Sequence, residues 1–208
     1  MRSDLVMSVN GIQRPVVILD AGHGGEDGGA VAPDGTPEKE INFSIAEDIA
    51  LYFDWFGVDY VVVRETDELI GDNTLPTVRE RKVSDIHKRM ALVEQTPGAI
   101  LLSIHQNIFT SSKYCGTQVF YAKNAAGSME LAETIQRSII SALQPDNERK
   151  VKPTEGTVFL LDEATKTSVM VECGFLSNEQ ELGRLKNREY RSQLSYFIVS
   201  GICEYFNN

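Results

Sequence analysis

Short β-branched runs alternate with segments of helical period along this chain, and that alternation restricts the fold more than any other feature. "VVILD" (16–20), "VDYVVVR" (58–64), "AILLSI" (99–104), "GTQVFYA" (116–122), "GTVFLL" (156–161) and "TSVMVE" (167–172) read as strands. Between them lie helical patterns. Ile45, Ile49, Tyr52, Phe53 and Phe56 share one face, and Val83, Ile86, Met90 and Val93 another. Leu131, Ile135, Ile139 and Leu143 repeat in phase, as do Tyr190, Leu194, Phe197, Ile198, Gly201 and Tyr205 at the end. The polar stretch 65–78, with Gly71 and Pro76, reads as a loop. Such an order implies an α/β domain: a mostly parallel, twisted sheet of about six strands with helices on both faces. No repeat, low-complexity tract or linker divides the 208 residues, a length that suits one domain. The expected organisation is an N-terminal tail over 1–14 and a single domain over 15–208.

Composition excludes several classes. The net charge of −10 argues against a nucleic-acid partner, which calls for a basic face. No apolar run approaches the roughly 20 residues of a membrane helix, and "MRSDLVMSVNGIQR" lacks the apolar core of a signal peptide. Cys115, Cys173 and Cys203 are scattered and odd in number, which suits neither a disulfide framework nor a cysteine zinc cluster.

Ligands of open α/β sheets bind beyond the carboxyl ends of the strands. Three chemically capable residues fall there. His23 follows the first strand within the glycine-rich "LDAGHGGEDGGA", His105 follows "AILLSI", and Glu172 closes "TSVMVE". They are distant in sequence and converge on one sheet edge as candidate ligands or acid–base groups. His87, on a helix flank beside Lys88 and Arg89, reads as a solvated surface residue. Rival motifs fail. From Gly22, a dinucleotide fingerprint would need its third glycine where Asp27 stands. No phosphate loop, H-E-x-x-H helix or G-x-S-x-G elbow occurs. Cys173 beside Glu172 leaves a cysteine nucleophile as a minor alternative, without the electropositive setting that would activate it.

"GHGGEDGGA", "EKEINFSIA", "SIHQN" and "VECGFLSNEQE", in this order and spacing, resemble the signature stretches of the zinc-dependent N-acetylmuramoyl-L-alanine amidases of bacterial cell walls. The similarity runs from Val16 to Tyr205. Within that family the chain is most similar to germination-specific amidases of endospore formers, through the polar insert with "RERKVSDIHKR". The resemblance implies one catalytic zinc ion held by His23, Glu40 and His105, with Glu172 as catalytic glutamate. Three N/O ligands leave zinc an open position, as catalytic sites require, and a carboxylate that is not a ligand can shuttle a proton.

On the residues alone, Glu40 looks like a first-turn glutamate complementing a helix dipole, after Thr36 as N-cap and Pro37 as first helical residue. Only the resemblance makes it a ligand. Gly24, Gly25, Gly28 and Gly29 are read as positions of positive φ that bring His23 to the metal. Asp27 either orients a ligand from behind or forms a turn. Asn107 either contacts substrate or braces the site, and Gln106 stands where the family usually has a smaller residue. The implied reaction is hydrolysis of the amide between N-acetylmuramic acid and L-alanine in peptidoglycan, in spore cortex as the first step towards muramic-δ-lactam. A zinc peptidase acting on stem peptides and a non-catalytic peptidoglycan-binding module are the alternatives. The implied location is extracytoplasmic, on the forespore or cortex side, with an export signal or anchor in the precursor and a protein activator or targeting partner.

Overall fold

The computed structural model describes residues 15–208, so the tail expected over 1–14 lies outside the described residues. A six-stranded sheet has the order β2-β1-β3-β6-β4-β5. Its strands are β1 (Val16–Ala21), β2 (Tyr60–Val62), β3 (Ala99–Asn107), β4 (Gln118–Tyr121), β5 (Lys152–Pro153) and β6 (Ser168–Phe175). All neighbours pair in parallel except β4 with β6. The helices are α1 (Glu38–Phe56), α2 (Val78–Gln95), α3 (Ser128–Ala142), the single turn α4 (Phe159–Asp162), α5 (Glu179–Lys186) and α6 (Arg188–Asn207). No helix among the described residues is long and apolar enough to cross a membrane.

Strand alternation explains the two faces. Val17, Leu19 and Ala21 of β1, Ile100, Leu102 and Ile104 of β3, and Val169, Val171 and Cys173 of β6 pack in the large core with α1, α3 and α6. The intervening Ile18, Ala99 and Leu101 pack with Val93 of α2 and Leu160 of α4. The same period carries Asp20, Ser103, His105 and Glu172 to the α2 side, between the middle and the carboxyl end of their strands; β6 runs on past Glu172 to Phe175. β2 lies on one side of β1 and β3 on the other, so the chain reverses direction across the sheet between β1 and β3. That is the topological switch point at which open α/β sheets bind ligands, and His23 and His105 sit there.

Two elements differ from the sequence pattern. Residues 156–161 are not a strand. Val158 caps the turn α4: its carbonyl accepts from the Leu161 and Asp162 amides, and its own amide donates to Asp162 Oδ2 at 2.8 Å. Leu160 and Leu161 are buried in separate clusters on either side of this turn, so a short apolar run of uniform character settles as helix. The sixth strand is instead the two-residue β5. The final helical region is also preceded by a separate helix, α5, capped by Asn178, whose side chain accepts from Gln180 and Glu181 amides.

Candidate metal centre and cleft

The polar cluster is built around Glu38, the first residue of α1. Pro37, extended at φ −78° and ψ 144°, is the N-cap, so the helix starts one residue later than Thr36 and Pro37 suggest. The Glu38 amide donates to the Ala30 carbonyl, and Glu38 Oε2 accepts from the Ala30 amide at 2.9 Å. The glycine-rich loop is thereby closed over the helix start. The carboxylate that lies between the two histidines is Glu38 and not Glu40. Glu38 Oε2 is 3.2 Å from His23 Nε2, and Oε1 is 2.9 Å from His105 Nδ1. Glu40 is exposed. Two residues along a helix is a rotation of about 200°, which turns Glu40 away. Side chains at a helix start also tilt back past the N-terminus, which brings Glu38 over the sheet edge. His23, Glu38 and His105 each offer one donor atom, all within 4.8 Å of one another, a group that could hold a metal ion.

Two of the three members are fixed from behind. Asp27 Oδ2 lies 2.9 Å from His23 Nδ1, leaving Nε2 for the cluster, while Lys82 reaches Asp27 Oδ1 at 2.8 Å. Asp27 thus contacts a histidine of the cluster as well as closing the turn with Gly24. Glu38 Oε1 also accepts from the Gln106 amide at 3.0 Å and from Asn42 Nδ2 at 3.2 Å. The Gln106 amide is free to do so because the β3–β6 register shifts between His105 and Asn107. This bulge takes one peptide out of the ladder and aims it at the site. Gln106 itself is buried, with Nε2 donating to Asn42 Oδ1 at 3.1 Å. Asn107 stands apart: its carbonyl accepts from Leu176 at 2.8 Å, and it does not line the cleft beside the histidines.

The loop conformation differs from the sequence expectation in two respects. Gly24, Gly25 and Gly29 have positive φ but Gly28 does not, and His23 itself does, at 63°. A non-glycine residue held there costs energy and is found where the surroundings fix it. Gly29 is required for a further reason: a Cβ would lie 2.6 Å from both Glu38 Oε2 and the His23 ring. At Gly22 a Cβ would meet the His105 ring at 2.2 Å.

Beneath the cluster runs a buried ionic network absent from the sequence reading. Arg89 of α2 donates to Asp20, to Asp85 Oδ2 at 2.6 Å, and to the carbonyls of Ala21 and His23 at 3.1 and 2.8 Å. Asp20 accepts in addition from Ser103 Oγ at 2.6 Å. Arg64 also reaches the Ala21 carbonyl, at 3.0 Å, and the Lys39 carbonyl at 3.1 Å. These two arginines tie the end of β1 to α2 and to the start of α1. The only sequence trace of the network is the i, i+4 spacing of Asp85 and Arg89.

Glu172 sits directly opposite His105 in the β3–β6 register. Its Oε2 is enclosed and has no hydrogen-bond partner among the described residues. Burial, reinforced by Glu38 and opposed by the two histidines, pushes its pKa up to about 7. The histidine cluster shows the opposite balance. Against the cost of burial, Asp27 and Glu38 push His23 up to about 9. Burial would raise Glu38, but His105 and His23 hold it well below the usual carboxylate range. Cys173 points to the opposite face, where burial pushes its thiol far above the ordinary value. It has no access to the cluster and is no nucleophile. His87 is exposed, with its ring edge-on to Phe159 at 4.9 Å. His23 and His105 open into a cleft of about 640 Å³ whose other wall is α2.

Comparison with known proteins gives the family of the chain. A family model described as N-acetylmuramoyl-L-alanine amidase matches residues 17–204. The chain belongs to the N-acetylmuramoyl-L-alanine amidase family. A germination-specific member from Bacillus subtilis is 31% identical over 191 residues, spanning 92% of this chain and 79% of its own. The CwlD amidase from Clostridioides difficile, solved in complex with the GerS lipoprotein, superposes with a TM-score of 0.89 at 34% identity, covering 93% of this chain and 99% of that one. A second amidase, from Clostridium difficile 630, gives 0.79 at 28% identity over 94% and 98% of the two chains. The amidase fold, with its single α/β domain, is therefore shared, and the enzyme class is that of peptidoglycan amidases.

Proposed function

We propose that this amidase is a zinc hydrolase in which His23, Glu38 and His105 hold the metal and Glu172 is the acid–base group. The observation that carries the reading is the orphaned Glu172 Oε2, enclosed opposite His105 with a pKa near 7. A buried carboxyl without a partner is costly to keep, and a pKa near neutrality suits a group that both takes and gives a proton. The donor set fits zinc: two imidazoles and one carboxylate, with His23 and Glu38 braced by further hydrogen bonds, match the His/carboxylate chemistry of catalytic zinc sites. When bound, zinc supplies polarisation of the scissile carbonyl and acidification of a water molecule.

The chain's own groups then do the rest. Glu172 takes a proton from the attacking water as the new C–O bond forms. It delivers that proton to the alanine nitrogen as the C–N bond breaks, leaving a lactyl carboxylate on muramic acid and a free amine on the peptide. Asp27 keeps the His23 ring turned so that Nε2 faces the metal. Asn107 contributes through its backbone, as a brace.

The similarity to a germination-specific relative supports action in spore cortex, ahead of muramic-δ-lactam formation, outside the cytoplasmic membrane. The relative solved with a lipoprotein supports a protein partner for targeting or activation. Incubation with cortex muropeptides and with free stem peptides, followed by mass spectrometry, tests the activity. Release of intact stem peptides from muropeptides is expected. Cleavage within free stem peptides would show a peptidase instead. Glu172→Gln should keep zinc and lose about 10²–10⁴-fold in rate; undiminished turnover by this variant would remove Glu172 from the chemistry.

A further inference from the structure

The α2 wall of the cleft carries charge that hydrolysis itself does not use. Val78, Arg79, Lys82 and Val83 line it. The carboxylates sharing the cleft are already matched, Asp20 and Asp85 by Arg89 and Asp27 by His23 and Lys82. Arg79 is exposed and has no hydrogen-bond or ion-pair partner among the described residues. Lys82 makes one contact and keeps 47% of its side chain exposed. The unmatched charge in this cleft is therefore positive, in a chain of net charge −10. Val78 and Val83 are 48% and 47% exposed beside it, apolar surface without cover.

The uncut substrate is asymmetric in charge. Its muramic acid is neutral at the scissile bond, because the lactyl carboxyl is locked in the amide. Its carboxylates lie on the peptide side, beginning with the isoglutamate that follows L-alanine. We propose that the α2 wall is the stem-peptide subsite, with Arg79, assisted by Lys82, binding the carboxylate of that second residue while Val78 and Val83 pack on its alkyl chain. The proposal rests on the amidase reading and adds a direction: the peptide side of the scissile bond lies along α2. A guanidinium suits the role, since it binds carboxylates through two parallel hydrogen bonds. A cleft of about 640 Å³ accommodates a few peptide residues and not a glycan strand.

The test uses two disaccharide–tripeptides that differ only in carrying isoglutamate or isoglutamine as second residue. Arg79→Ala should raise KM for the acidic substrate about 10-fold with kcat unchanged and leave the amidated one unaffected. Arg79→Lys should recover part of the loss. Equal effects on both substrates, or none, would overturn the proposal. Calorimetric binding of the free acidic tripeptide to zinc-loaded protein gives an arm independent of turnover. Weaker binding by Arg79→Ala supports the subsite, and unchanged binding sinks it. A wild-type protein that leaves both muropeptides intact would count against the amidase reading, and the binding arm would then decide the subsite by itself.

Discussion

Glu38 and Glu40 are separated by one lysine, yet one is buried between two histidines and the other lies in solvent. Glu38→Ala should therefore abolish stoichiometric zinc, and Glu40→Ala should leave it intact. Metal analysis of the purified variants decides, and the reverse pattern would restore Glu40. The sequence points to the right helix but starts it one residue early, and it selects the glutamate on the solvent side. The distinction hangs on whether Pro37 is inside the helix or caps it, a shift of one residue that rotates every side chain by about 100°. His23 makes a second prediction at this scale. Its raised pKa, about 9, stabilises the metal-free fold fully below its ordinary 6.5 and is lost as pH rises towards 9. The lowered Glu38 and Asp27 contribute above their ordinary values and are lost in acid. The metal-free protein should thus be most stable between about pH 5 and 6.5. Zinc must displace the His23 proton, so its affinity should climb from pH 6 to 9. Calorimetry at pH 7 in two buffers of different ionisation heat should report release of about one proton. Heats independent of buffer would contradict this.

At the scale of elements, the site depends on three junctions: the loop after β1, the first turn of α1, and the bulge near the end of β3. Strand ends and helical periods are legible because burial imposes them, and His23, His105 and Glu172 were placed at one sheet edge on that basis alone. The buried Asp85–Arg89 pair was not legible, since charged residues within an amphipathic pattern read as its wet face. Nor was α4, where four apolar or acidic residues carry no period. Arg89→Ala would leave Asp20 and Asp85 unpaired in a dry setting and should cost about 3–5 kcal/mol. Urea denaturation of the metal-free protein measures it, and a loss under 1 kcal/mol would show that the network is not structural. Gly29→Ala combines a positive φ of 68° with a Cβ 2.6 Å from Glu38 Oε2. It should weaken zinc binding at least about 10-fold, read by competition with a chromogenic chelator, while far-UV circular dichroism stays unchanged.

Across the whole molecule, the proposed metal joins segments that the sheet alone brings near one another. Ligand present at about 1,000 times its Kd adds about 4 kcal/mol to folding, which for a domain of this size corresponds to roughly 8–16 °C in Tm. Chelation should lower Tm by that order in wild type and by far less in Glu38→Ala. A chelator-insensitive Tm in both would mean that the cluster binds metal weakly or not at all.

The sheet order also carries a history. A ribosome delivers a chain from its N-terminal side, and His23, Glu38 and His105 all precede the segment that bears Glu172. That segment, β6, lies between β3 and β4. The growing polypeptide can gather its three donors early, but the two halves of the sheet stay unjoined until β6 slots into the gap. On the reading proposed above, a nascent or C-terminally shortened chain would capture zinc without being able to cut. Cleavage of the wall would become possible only once the last piece of the sheet is in place.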